Sequence, residues 1–164
     1  MATSHSFLPI AKNRPIFEDL VTRTLNYARS PGEHDTVPMA GGASDAAAEA
    51  SEAQGLAVSV RRGKVETVEQ TRDRSLDITV FAGQRRGSAS TSDFSDEALR
   101  QTVEAAWHIA RYTAEDPAAG LPEADLLAIG ARHTLQLHHP WAVSVEQATE
   151  MALEAEHAAL ATDK

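Results

Sequence analysis

Leu56-Ala57-Val58-Ser59-Val60-Arg61-Arg62-Gly63-Lys64-Val65-Glu66-Thr67-Val68-Glu69 is the stretch that decides the fold. Apolar side chains at Leu56, Val58 and Val60 alternate with small or polar ones, the period-two pattern of a strand with one buried face. Arg62-Gly63 supplies a turn, and the chain resumes as a second strand from Lys64. A polar break at Thr71 to Ser75 then precedes the alternating Leu76, Ile78 and Val80, and another turn falls near Ala82-Gly83. With the small, polar piece Arg85 to Ser92, the pattern predicts four antiparallel strands.

The apolar face of such a sheet needs a cover, and the next segment is patterned to provide one. Ser95 is a helix N-cap, with Asp96 and Glu97 in the first turn, where carboxylates meet the positive end of the helix dipole. Phe94 and Leu99 occupy the two positions of a hydrophobic staple. Leu99, Val103, Ala106, Trp107 and Ala110 recur at helical spacing, so a helix to about Thr113 lays one stripe across the sheet.

Working outward, Met1 to Arg14 reads as a flexible lead-in. A helix starts at Pro15, carries Phe17, Leu20, Val21, Leu25 and Ala28 on one face, and stops at Ser30-Pro31-Gly32. Ser44 to Gln54 is ambiguous: its alanine and glutamate content favours a helix, while Ala46, Ala48 and Ala50 alternate against Ala47, Glu49 and Ser51 as a strand would. Beyond the Trp107 helix, breakers at Glu115-Asp116-Pro117 and Gly120-Leu121-Pro122 precede a short helical turn around Glu123 to Leu127, and Gly130 to Trp141 is irregular. Ser144 with Gln147 forms a capping box for a last helix. There Ala148, Met151, Ala152, Ala155 and Ala159 line one face, with Glu146, Glu150, Glu154 and Glu156 turned largely away.

Composition bounds the rest. The 164 residues are 42% hydrophobic but only 5% aromatic, which gives one modest, alanine-rich core. There is no cysteine, so disulfides and thiolate metal sites are excluded and a reducing cytoplasm is the simplest compartment. No apolar run is long enough for a transmembrane helix. The net charge of -9 is uneven: residues 1–86 hold 11 acidic and 11 basic side chains, and residues 87–164 hold 13 acidic and 4 basic. An acidic second half disfavours nonspecific binding to nucleic acid or membranes.

A more specific signal comes from extended strings of residues. Val60 to Glu69, Gly87-Ser88-Ala89-Ser90-Thr91-Ser92-Asp93, Ile109-Ala110-Arg111-Tyr112-Thr113 with Asp116-Pro117 and Ala119-Gly120, and Leu135-Gln136-Leu137-His138-His139-Pro140 with Val143-Ser144 together resemble the amino-terminal part of PmbA (TldE) subunits. These belong to the TldD/PmbA metalloprotease family, and the likeness runs from about Asp45 to the end of the chain. It implies that Ser44 to Gln54 is a strand turning at Gln54-Gly55. It also implies a fragment of a longer protein, a TldD-like partner that holds zinc, and a substrate that is a peptide or unfolded protein. The expected architecture is α+β: residues 15–164 as one domain, a curved, mainly antiparallel sheet of four or five strands with helices packed chiefly on one face.

Zinc peptidases place two histidines and a glutamate on one helix so that imidazoles hold the metal and the carboxylate activates water. This chain has neither HExxH nor HExxxH, so no catalytic, cofactor-binding or metal-ligating residue is assigned in it. Lesser candidates each have a plainer explanation. Glu154 and His157 form half of a di-iron motif without its other half. His133, His138 and His139 share an irregular stretch, and Glu104 and His108 make an ordinary helical pair. Ser88, Ser90, Thr91 and Ser92 lack the glycine spacing of a nucleophile elbow or phosphate loop, and read better as small residues that let a helix approach. Arg61, Arg62, Lys64, Arg72, Arg74, Arg85 and Arg86 would form a positive patch only if the turns meet at one end of the sheet. The expected function is that of a non-catalytic PmbA-like subunit domain, inactive alone; the alternative is a stand-alone interaction domain.

Overall fold

Neither Gln54-Gly55 nor Thr71 to Ser75 turns the chain, and that changes the strand count. The structure, a computed structural model, describes residues 14–29, 43–128, 139 and 141–162. The elements are α1 (Arg14–Arg29), β1 (Asp45–Arg61), β2 (Lys64–Ala82), β3 (Arg85–Thr91), α2 (Asp96–Tyr112) and α3 (Val145–Thr162). The sheet has 3 strands in the order β1-β2-β3, so the expected four or five are corrected to three. A tight hairpin turn requires left-handed backbone, and among the described non-glycine residues only Arg62 has a positive φ. Polar residues from Lys64 to Arg74 are exposed on both sides of β2, so their polarity reflects solvation of a strand rather than its interruption.

Ser44 to Gln54 resolves as strand. Side chains alternate between exposed and half-buried along β1 from Asp45 onward, with Ala46 and Ala48 packed against one apolar cluster and Ala50 against another. Local helix propensity loses here because the backbone pairs with β2 and every second alanine finds a packed face.

The chain divides into two compact units. Unit one takes in Met1–Glu52 and Arg74–Leu127, and unit two takes in Ala53–Asp73 and Ala128–Lys164. In unit one the antiparallel β2–β3 register sets Val80 opposite Gly87, Ile78 opposite Ala89 and Leu76 opposite Thr91. Bulky residues on the one strand therefore face small ones on the other. Leu76, Ile78 and Val80 are fully buried, and α2 lies along the low side, over β3. Its apolar stripe is buried as the spacing predicts, at Leu99, Val103, Ala106, Trp107 and Ala110. Burying a leucine or valine side chain stabilises by roughly 1.5–3 kcal/mol.

Helix α1 completes the cover. Leu20 and Ala28 are buried with Thr24 between them, and the Thr24 hydroxyl donates to the Leu20 carbonyl at 2.8 Å, which satisfies its polar atom. Phe94 and Leu99 share one apolar cluster with Leu20, and the Phe94 ring meets Phe17 edge-on at 6.1 Å. The residues around Glu123 to Leu127 form a turn, with the Leu126 N–H donating to the Glu123 carbonyl. Among the described residues no helix is long and apolar enough to cross a membrane. The lead-in before Arg14 and most of Gly130 to Trp141 lie outside the described residues.

Candidate functional site

A two-residue hairpin leaves the N–H groups of its central residues outside the strand ladder. At the β1–β2 tip these residues are Arg62, with φ 53°, and Gly63, with φ 73°. Their two N–H groups donate to the two oxygens of one carboxylate, Glu156 of α3, at 2.6 and 2.7 Å. A bidentate, charge-assisted arrangement of this kind fixes orientation as well as distance. It ties α3 to the hairpin tip within unit two. Ser59 and Thr67, whose hydroxyls are 2.6 Å apart, and the Arg61–Glu66 ion pair at 3.5 Å add cross-strand contacts on the same ribbon.

The expected faces of α3 are partly reversed. Its half-buried residues are Val145, Ala148, Thr149, Ala152, Leu153 and Glu156, whereas Met151, Ala155 and Ala159 are exposed. Glu156 thus faces inward because the tip offers it two unpaired donors. The capping box forms as expected: Ser144 N–H donates to the Gln147 side-chain oxygen at 2.9 Å, and Gln147 N–H donates to the Ser144 hydroxyl at 3.2 Å. Glu146, in the first turn, has its carboxyl held below the usual range by its own backbone N–H and the Ser144 hydroxyl.

Opposite that half-buried stripe lies a groove of about 360 Å³, lined by Trp141, Val143, Gln147, Glu150, Met151 and Glu154. Gln147, Glu150, Met151 and Glu154 follow the i, i+3, i+4, i+7 spacing of one helix face. Trp141 is 73% exposed and Met151 51% exposed. The spacing was legible in the sequence, but the identity of the outward face was not.

The other candidates disperse. Arg61, Arg62 and Lys64 stand at one end of β2 and Arg85 and Arg86 just past the other, with the 19 residues of that strand between the two turns. Arg85 donates to the Arg111 carbonyl and pairs with Glu115, while Arg74 stacks on the Phe94 ring at 4.8 Å. Ser88 bonds across the ladder to Thr79 at 2.8 Å, and Thr91 closes a local turn with Asp93. The close helix approach expected of this small-residue strand occurs at Gly87.

Glu104 and His108 lie 3.8 Å apart as a helical pair. Glu154 and His157 are exposed on α3, and so is His139, while His133 and His138 lie outside the described residues. Among the described residues no group of three histidine, aspartate or glutamate side chains could hold a metal ion. Sequence reasoning missed Glu156 and Trp141, and the signal it passed over was an Arg-Gly turn whose N–H groups needed acceptors.

Residues 46–110 match the family described as PmbA/TldA metallopeptidase domain 1. Over 155 residues, the chain is 49% identical to a protein of Escherichia coli O157:H7 named Metalloprotease PmbA, covering 94% of this chain and 32% of that relative. A Haemophilus influenzae protein named Metalloprotease PmbA homolog is 48% identical over 110 residues, 67% of this chain and 24% of the relative. The chain thus spans a third or less of the length of these two relatives. A crystal structure from Bacteroides thetaiotaomicron, described as a candidate modulator of DNA gyrase, superposes with a TM-score of 0.57 at 18% identity. It covers 71% of this chain and 24% of that one, and at this identity the likeness shows the fold alone. By the matched domain and the sequence identity, the chain belongs to the PmbA/TldA metallopeptidase family, with residues 46–110 corresponding to its first domain.

Proposed function

We propose that this chain is the amino-terminal domain of a PmbA-like (TldE) subunit that assembles with a TldD-like chain into a cytoplasmic metalloprotease acting on peptides or unfolded proteins. The observation that carries the proposal is the 49% identity to a metalloprotease PmbA over 94% of this chain. In this reading the zinc and the bond-breaking chemistry belong to the TldD-like partner. This domain contributes surface: the edge of its sheet at β3 guides an extended chain by backbone hydrogen bonding.

The test is co-expression with a TldD-like chain carrying HExxxH, followed by a peptide-hydrolysis assay with added zinc. Association, with turnover only when both chains are present, is the expected result. Metal-dependent hydrolysis by this chain alone overturns the non-catalytic role. A chain that never associates with a TldD-like partner leaves the stand-alone interaction domain as the better reading.

A further inference from the structure

The groove on the outer face of α3 brings apolar and acidic side chains together. Trp141 and Met151 expose apolar surface, and Glu150 and Glu154, one helical turn apart, carry negative charge beside it. Trp and Met are enriched where proteins make contacts, whereas a helix face that only meets water is usually charged without aromatics. The helix supplies no counter-charge of its own: Val145 to Thr162 contains four glutamates and no lysine or arginine. One of the four, Glu156, is used at the hairpin tip, and no ion pair engages Glu150 or Glu154 among the described residues.

We propose that this groove binds a basic polypeptide segment by a lysine or arginine side chain. Those side chains match the lining part by part. Their aliphatic stems lie on apolar surface while the charged head stays polar, so the stem packs on Met151 and the edge of Trp141. The head meets the indole face by cation–π attraction and the Glu150 and Glu154 carboxylates by charge-assisted hydrogen bonds. A guanidinium suits both contacts better than an ammonium, because it stacks flat and forks onto a carboxylate. The groove is open along the helix flank, so the flanking residues of a polypeptide pass Val143 and Gln147. This goes beyond the subunit assignment and stands or falls separately from association with a TldD-like partner, because residues of this chain line the groove.

The probe is a fluorescein-labelled pentapeptide with two lysines flanking a leucine, followed by anisotropy, with a glutamate counterpart as control. The lysine peptide binds, its arginine version binds more tightly, and the glutamate version does not bind. Glu150→Gln with Glu154→Gln weakens binding about tenfold, and Trp141→Ala weakens it about threefold. Glu123→Gln with Asp125→Asn, acids elsewhere on the chain, leaves it unchanged. All of these positions are exposed, so circular dichroism should match that of the parent chain, and a shift of the Trp141 indole N–H on titration reports the contact directly. The proposal is overturned if the Glu150/Glu154 variant binds as well as the parent, if the Glu123/Asp125 variant loses as much, or if free lysine amide competes as effectively as the peptide.

Discussion

Gly87 of β3 lies directly under Ala106 of α2: a Cβ placed on Gly87 would sit 2.1 Å from the Ala106 carbonyl oxygen and 2.4 Å from the Ala110 nitrogen. Backbone on both sides leaves nothing flexible to move aside. Gly87→Ala therefore forces α2 away from the sheet, and the Val103, Ala106 and Trp107 stripe loses contact with Ile78 and Val80. The expected cost is about 3 kcal/mol, read as a lower urea midpoint, with Gly87→Val worse. Ser88→Ala, one residue on and exposed, should stay within about 0.5 kcal/mol. An unchanged midpoint for Gly87→Ala would show that α2 does not rest on β3 in this way.

Replacing Glu156 by glutamine keeps one acceptor and removes the charge that two backbone N–H groups share at the hairpin tip. Hydrogen exchange at Arg62 and Gly63 should then speed up about fivefold, the equivalent of about 1 kcal/mol. Glu150→Gln, on the opposite face of α3, should leave those amides alone.

The same tip carries a non-glycine residue in left-handed backbone, Arg62 at φ 53°. Asparagine tolerates that conformation better, and Asn-Gly is the favoured pair for a two-residue hairpin. Arg62→Asn should raise the thermal midpoint modestly, worth about 0.5 kcal/mol, whereas Gly63→Ala should lower it by about 1 kcal/mol. If Gly63→Ala were neutral, the turn would not have the geometry described.

Asp93 predicts a pH dependence at the start of α2. Its carboxyl is held below the usual aspartate range by the Ser95 backbone N–H, which donates to it, and by the Ser95 hydroxyl. A folded-state pKa below the unfolded one means the unfolded chain binds more protons. The stabilisation is therefore complete above the unfolded value of about 4, and is lost as the pH falls through the lowered folded value. NMR of the Ser95 amide across acid titration should follow that transition, and Asp93→Asn should flatten it.

Much of this fold was legible because its signals are local. The Ser95 cap, the Phe94 and Leu99 staple, the α2 stripe and the Ser144 and Gln147 capping box are each written within a few residues, and each forms. The strand count was not legible, because a polar segment such as Thr71 to Ser75 looks alike in a turn and in a strand solvated on both faces. The Ser44 to Gln54 strand was undecidable from propensity, since its alanines become strand residues only through pairing with β2.

The sequence by itself determined the family, the two hairpin turns and the helix caps, since these rest on contiguous residues and on backbone conformations that few side chains allow. Only the tertiary structure decided that Gly87 would carry a helix, that Glu156 would turn in to the tip, and that Trp141 and Met151 would stay outside. Each of those outcomes depends on which surface arrives opposite a residue from a distant part of the chain, and on whether a buried or unpaired group there demands a partner.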